Sequence, residues 1–162
     1  MKIRSSIFFI VTTIFISCSN NDIKPVSEVW SKAQEYYENK DYNNSLVLLH
    51  QIVENKFYDD DFKAKALFLI SEIYLNEYKE YNISISFLNE ILDNYPTHEL
   101  AKRSLFTIAY INANYIEAFT EAVNLYNQFI EKYPSDELVS SVKYELDELD
   151  KYNETINNLI NR

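Results

Sequence analysis

The sequence predicts an all-α fold in which pairs of helices stack into a superhelix. The strongest observation is an internal repeat, because the segment YPTHELAKRSLFTIAYI from Tyr95 recurs as YPSDELVSSVKYELDEL from Tyr133, 38 residues later. Fixed periods of 20–50 residues are typical of stacked repeats. The 162 residues also include no glycine and only three prolines, which leaves few residues suited to β-hairpin turns. We therefore expect three helix-pair units and a C-terminal capping helix.

The N-terminal seventeen residues have the pattern of an export signal. Lys2 and Arg4 precede an apolar run over 7–16, which is followed by Ser17 and the only cysteine, Cys18. A charged start, a short apolar stretch and a small residue are typical of secretory signals. Ten helical residues cover only about 15 Å of a ~30 Å hydrocarbon core. An ordinary cleaved signal followed by a free thiol is one interpretation.

The segment FISC at 15–18 resembles a bacterial lipobox, which gives a second interpretation. The resemblance implies a lipoprotein signal peptide over 1–17, a diacylglycerol on Cys18 and a lipidated tether over 18–27. Stable anchoring takes more than one acyl chain, each buried CH₂ contributing ~0.8 kcal/mol. Ser19 replaces the aspartate that retains well-studied lipoproteins in the inner membrane. The resemblance therefore implies a lipid-anchored protein at the periplasmic face of the bacterial outer membrane.

Apolar residues within each unit recur with helical spacing, and small residues recur at two places. A pair of small residues lets two antiparallel helices cross closely. These residues are Ala33, Ser71 and Ala109 on the first helices and Ser45, Ser84 and Ala122 on the second. The first unit is slightly different, because Tyr36 lies 38 residues before Tyr74 whereas Tyr42 lies 39 residues before Tyr81.

Prolines predict where the second helix of a unit ends. Pro96 and Pro134 each push the preceding residue out of the α region. Thr97 or Ser135 could then cap the next helix. The last copy has Asp147 where the small residue stood, which is typical of the polar outer face of a terminal repeat.

These residues resemble the tetratricopeptide repeat. The pattern is a small residue, an aromatic three later, Tyr-x-x-small, leucine or an aromatic, and proline; the second unit supplies Ser71, Tyr74, Tyr81, Ser84, Leu88 and Pro96. The resemblance implies a tetratricopeptide-like α-α superhelix over 28–151, with units 28–58, 60–97 and 98–135, a cap over 136–151, and a helical tail over 152–162. Its YP-x-x-E-L-A motif is similar to the BamD outer-membrane assembly lipoproteins and to Tol–Pal-associated repeat proteins.

Charge and composition argue against several functions. The chain has 15 Lys and Arg against 25 Asp and Glu, a net charge of −10, and removal of Lys2 and Arg4 makes it −12. Nucleic-acid binding needs clustered cations. Phosphate-binding loops need glycine. His50 and His98 have no metal-ligand or nucleophile–base spacing, and the acidic run 59–61 lacks the spacing of a calcium loop. We expect no enzyme activity, metal, cofactor or small-molecule substrate.

A peptide groove is the better candidate site. In tetratricopeptide repeats the first helices line the concave face, and the resemblance implies that the groove residues are Trp30, Gln34, Tyr37, Lys65, Phe68, Glu72, Arg103, Phe106, Tyr110 and Tyr144. Four of them form an aromatic row that could hold an extended peptide, with Lys65 and Arg103 binding its carboxylates. Alternatively, the rings pack against the following helix and expose only their edges.

The expected function is therefore a membrane-anchored scaffold that binds envelope proteins or peptides. By resemblance its process would be outer-membrane protein assembly, or coordination of the envelope through Tol–Pal or peptidoglycan. Self-assembly is a further alternative, since Ile156, Leu159 and Ile160 form a C-terminal apolar stripe that either completes the cap or binds a partner.

Overall fold

A computed structural model describes residues 24–160, so the signal peptide and Cys18 lie outside the described part. Two of the helices continue into a π-helical turn, Tyr74–Tyr78 after α3 and Asn112–Ile116 after α5. The α-helices are α1 (Val26–Glu38), α2 (Tyr42–Glu54), α3 (Asp60–Ile73), α4 (Tyr81–Asn94), α5 (Glu99–Ile111), α6 (Phe119–Lys132) and α7 (Val139–Ile160).

The architecture is the predicted all-α superhelix. Each helix packs mainly against its neighbours in sequence, which forms the antiparallel pairs α1/α2, α3/α4 and α5/α6 and leaves α7 as the cap on α6. Three apolar clusters follow one another along the stack, one for each pair. None of the helices in the described range is both long and apolar enough to cross a bilayer.

The small residues lie where two helices of a pair cross, as predicted. The Ser45 hydroxyl donates to the Ala33 carbonyl at 2.9 Å, and the Ser84 hydroxyl donates to the Ser71 carbonyl at 2.9 Å. In both pairs the side chain on the second helix therefore touches the backbone of the first. All six positions are buried: Ala33, Ser71, Ala109, Ser45, Ser84 and Ala122.

The turn inside each helix pair contains one residue with left-handed backbone. In the first pair this residue is Lys40, with φ 61°, and the Asp41 N–H donates to the Tyr36 carbonyl at 2.9 Å. This pattern is a Schellman motif. In the second pair the Glu80 N–H reaches back six residues to the Tyr74 carbonyl, also at 2.9 Å. The π-helical turn of the second pair therefore absorbs the extra residue that the 38- and 39-residue offsets indicated.

The turn between units corrects one prediction. Helix α4 ends at Asn94, just before the Tyr95-Pro96 dipeptide, as expected. The cap of α5, however, is His98 rather than Thr97, because the Leu100 N–H donates to His98 Nδ1 at 3.1 Å. The His98 N–H itself bonds to the Tyr95 carbonyl at 3.0 Å, which places Thr97 in the middle of the turn.

The same shift of one residue occurs before α7. The Leu138 N–H donates to Asp136 Oδ1 at 3.0 Å, and the Asp136 N–H bonds to the Tyr133 carbonyl at 3.1 Å. Ser135 therefore lies inside the turn instead of capping the helix.

The two ends of the repeat domain differ slightly from the expected boundaries. Helix α1 begins at Val26, inside the segment 18–27, because the Pro25 carbonyl already accepts the N–H groups of Glu28 and Val29. Helix α7 runs without a break across the boundary expected between 151 and 152.

The outer face of α7 is polar, as expected for a terminal repeat. Asp147 and Asp150 are exposed, whereas Val142 and Leu149 are buried against the rest of the stack. The side chains of the predicted apolar stripe, Ile156, Leu159 and Ile160, lie outside the described part of the structure.

Candidate functional site

The first helices of the three pairs border a concave cleft of about 410 Å³. The cleft contains seven of the ten predicted groove residues: Trp30, Gln34, Tyr37, Lys65, Phe68, Glu72 and Arg103. It also contains four residues that the family positions did not select: Glu38, Leu69, Glu99 and Leu100. Those positions are fixed by spacing on one helix, whereas the cleft forms between helices and so includes side chains at their edges.

The base of the cleft is apolar and closely packed. Phe68 is only 8% exposed, and Leu69 and Leu100 are buried beside it. Trp30 is half-buried, with its ring edge-on to Phe62 at a centroid distance of 6.1 Å. These side chains therefore present edges and small patches, rather than open ring faces, to a bound molecule.

Arg103 is held in place above this base. Its guanidinium carbon lies 4.9 Å from the centroid of the Phe68 ring, a cation–π contact. Arg103 itself is exposed, so its N–H groups remain accessible to solvent. An arginine that is already ordered loses less side-chain freedom when it binds a carboxylate.

Carboxylates surround the same cleft. Burial raises the pKa of Glu72, and the nearby charge of Arg103 lowers it by a smaller amount. Burial also raises the pKa of Tyr37, with further contributions from Glu72 and Glu77. Lys65 donates to Asp61 Oδ2 at 2.7 Å, so its charge is partly compensated. The cleft therefore offers an ordered cation beside a carboxylate that burial disfavours.

The remaining three predicted groove residues lie outside this cleft. Phe106 packs on the following helix, with centroid distances of 6.0 Å to Tyr126 and 6.3 Å to Phe129. Tyr110 stacks on Phe106 at 6.4 Å. Tyr144 is 63% exposed, since α7 has no further helix packed on it within the described residues.

The aromatic row is thus not uniform. Phe68 and Phe106 follow the packing alternative, because the neighbouring unit covers them, whereas Tyr144 at the end of the stack stays open. Helical periodicity indicates which side of a helix a residue occupies, but it does not show how closely the next helix approaches.

Sequence reasoning missed a tyrosine belt along the edge where the helix pairs turn. Tyr81 and Tyr115 stack across two units at 4.8 Å. The Tyr78 hydroxyl donates to Asn43 Oδ1 at 3.0 Å, which joins the first two units. Tyr78 and Tyr115 both belong to the π-helical turns. The only available signal was the high count of 14 tyrosines.

The histidines have structural positions. His50 is half-buried on α2 and lies 5.8 Å from the Phe87 ring. His98 caps α5 and also lies 3.3 Å from Asp61 Oδ1 through Nε2. Asp59 caps α3 by accepting the Phe62 N–H at 3.0 Å, as its place before a helix suggested. No group of three or more His, Cys, Asp and Glu side chains between residues 24 and 160 is arranged to hold a metal ion.

Comparison with known proteins supports this description of the fold. The family model of the tetratricopeptide repeat matches residues 103–136, which cover most of α5, its π-helical turn and α6. No curated protein matches the chain. Tetratricopeptide repeats generally mediate protein–protein interactions and typically serve as non-catalytic scaffolds. The chain therefore contains a tetratricopeptide repeat within an all-α superhelix of the same type.

Proposed function

We propose that this protein is a membrane-anchored scaffold of the bacterial envelope that binds a segment of a partner polypeptide. The observation that carries the proposal is the cleft between α1, α3 and α5, with its apolar base and its ordered arginine. Concave apolar sites with a few converging polar groups are the usual binding sites of proteins. The volume of about 410 Å³ suits one or two side chains rather than a folded domain.

The chemistry of the cleft suits an extended peptide of mixed polarity. An apolar partner side chain would contact Phe68 and Leu69, which removes its surface from water. Arg103 would bind a partner carboxylate through parallel N–H donors. Glu72 would accept a partner N–H or a cationic side chain, which relieves the cost of burying its carboxylate.

The proposed address is the periplasmic face of the outer membrane, through lipid on Cys18. It is supported by the export signal, the lipobox-like segment 15–18 and Ser19. The proposed process is outer-membrane protein assembly, which rests on the YP-x-x-E-L-A motif and its similarity to the BamD lipoproteins. Mass spectrometry of the N-terminal peptide tests the address, and a mature chain without fatty acid on Cys18 would contradict it.

Site-specific crosslinking tests the partner. A photo-crosslinking amino acid replaces Gln34, an exposed residue of the cleft, and the matched control replaces Gln128, an exposed glutamine on α6. In intact cells the Gln34 position should crosslink to a component of the β-barrel assembly machinery and the Gln128 position should not. Recovery of peptidoglycan-associated or Tol–Pal proteins alone would replace the assembly proposal by envelope coordination. The same products from both positions would contradict binding in the cleft.

A further inference from the structure

The loop between α2 and α3 exposes a phenylalanine at its tip. Phe57 is 69% exposed, the highest value among the large hydrophobic side chains of residues 24–160 whose side chains are described, and Lys56 Nζ lies 5.0 Å from its ring centroid. The residues one and two periods later, Tyr95 and Tyr133, are half-buried and pack on the cores of their own units. The exposed ring is therefore a property of the first unit and not of the repeat.

This loop lies beside the start of the described chain. The side chain of Tyr58, the next residue, is buried, and its hydroxyl donates to the Lys24 carbonyl at 2.8 Å. Six residues separate Lys24 from Cys18, and six residues reach at most about 20 Å when fully extended. A lipid on Cys18 would therefore keep the 55–58 loop close to the membrane surface.

We infer that Phe57 inserts into the headgroup region of the bilayer that holds the anchor. The inference rests on the proposed lipidation of Cys18. A phenylalanine ring gains by leaving water, and Lys56 can extend its amine to the lipid phosphates. The nearby Asp59 and Asp60, and the net charge of −10, oppose binding to an anionic leaflet, so the suitable surface is zwitterionic.

The anchor is needed because one ring binds a bilayer weakly. Attachment at Cys18 turns insertion of Phe57 into an intramolecular event at high effective concentration. Two attachment points, the lipid and the ring, then limit rotation of the domain about its tether. Phe57 thus orients the first unit relative to the membrane.

Fluorescence on vesicles tests the inference. The full chain carries W30F, which removes its only tryptophan, and either F57W or the control V47W. Val47 is 65% exposed and lies on α2, about 10 Å along the helix axis from its C-terminal end. The protein is attached to phosphatidylcholine vesicles by its own lipid or, where none is found, by coupling its single cysteine to a maleimide lipid. This second arm separates failure of the insertion from failure of the proposed lipidation.

On attachment, the emission of the F57W indole should shift to shorter wavelength and lose intensity with headgroup-proximal brominated lipids, while V47W stays unchanged. A water-like, unquenched F57W indole on attached protein would overturn the inference, as would equal quenching at both positions. A shift that appears without lipid as protein concentration rises would assign the ring to a contact between copies instead. Should W30F prevent folding, hydrogen exchange of residues 55–58 in the wild-type chain serves as the readout, and unchanged exchange on attachment would also overturn the inference.

Discussion

At the scale of single residues, Tyr126 contains a polar group that the fold does not satisfy. The side chain is fully buried between α5 and α6, and its hydroxyl has no hydrogen-bond partner among the described residues. Burial raises the pKa of this hydroxyl, and Glu145 and Tyr110 raise it further. The corresponding residues of the earlier units are Leu49 and Leu88, which contain no polar atom in the side chain.

We expect Tyr126→Phe to stabilise the protein. A buried hydroxyl without a partner costs about 1–3 kcal/mol, so its removal should raise the free energy of unfolding by about 1 kcal/mol. Denaturant unfolding measures the change, and Tyr152→Phe, at a half-exposed ring on α7, is the control with no expected effect. A loss of stability in Tyr126→Phe would indicate that the hydroxyl has a partner after all.

Glu72 gives the cleft a pH dependence. Burial raises its pKa in the folded protein, so over the intermediate pH range the folded state holds more protons than the unfolded state. Stability contributed by this group is therefore complete below the unfolded pKa of about 4.3 and is lost as the pH rises through the higher folded pKa.

Glu72→Gln should therefore be more stable than the wild type at pH 7, and the difference should disappear near pH 4. Thermal unfolding measured across this pH range gives the comparison. Glu121→Gln, at an exposed position on α6, controls for the loss of one negative charge. A stabilisation that persists unchanged at pH 4 would mean that ionisation of Glu72 is not its cause.

At the scale of elements, the pair turns use left-handed backbone without glycine. Lys40, Lys79 and Glu117 have φ of 61°, 58° and 60°. A residue with a Cβ atom costs roughly 1–2 kcal/mol in this region. The closing hydrogen bonds of the turn and the packing of the two helices hold these residues there.

We expect Lys79→Gly to raise the free energy of unfolding by about 0.5–1 kcal/mol, because removal of the Cβ strain exceeds the extra freedom of glycine in the unfolded chain. Lys79→Ala is the matched control, since it removes the charge but keeps the Cβ atom. Equal stability of the two variants would show that the left-handed backbone is not strained.

At the scale of the whole molecule, the cleft joins residues of three helix pairs. Phe68 is nearly buried, so replacing it would alter stability together with binding. Arg103 is the cleaner probe. Arg103→Gln should lower crosslinking from Gln34 about tenfold or more, because a hydrogen bond to a charged group contributes ~1.5–3 kcal/mol.

The matched control is Lys132→Gln, which removes a cation lying 5.4 Å from the Tyr133 ring, outside the cleft. Both variants should unfold within about 0.5 kcal/mol of the wild type, as surface substitutions usually do. Equal crosslinking from the two variants would remove Arg103 from the binding site.

The repeat pattern predicted the fold because its residues act locally. Ala33 and Ser45 are small for a reason visible in sequence, and Pro96 ends a helix wherever it stands in this motif. The cap on His98 and the π-helical turns could not be predicted, because they depend on backbone hydrogen bonds across five or six residues. Seven groove residues converge on the cleft, but the coverage of Phe68 and Phe106 depends on the distance between neighbouring helices.

Helix α7 stands alone at the end of the stack, without the second helix that completes every earlier unit in the described chain. In arrays whose units touch only their neighbours, opening begins at the least supported terminus and spreads inward. Amide protons of α7 should therefore exchange first and those of α3 and α4, which have neighbours on both sides, last. A ligand between α1, α3 and α5 would tie the slow-exchanging half of the molecule together and leave the C-terminal helix free to fray.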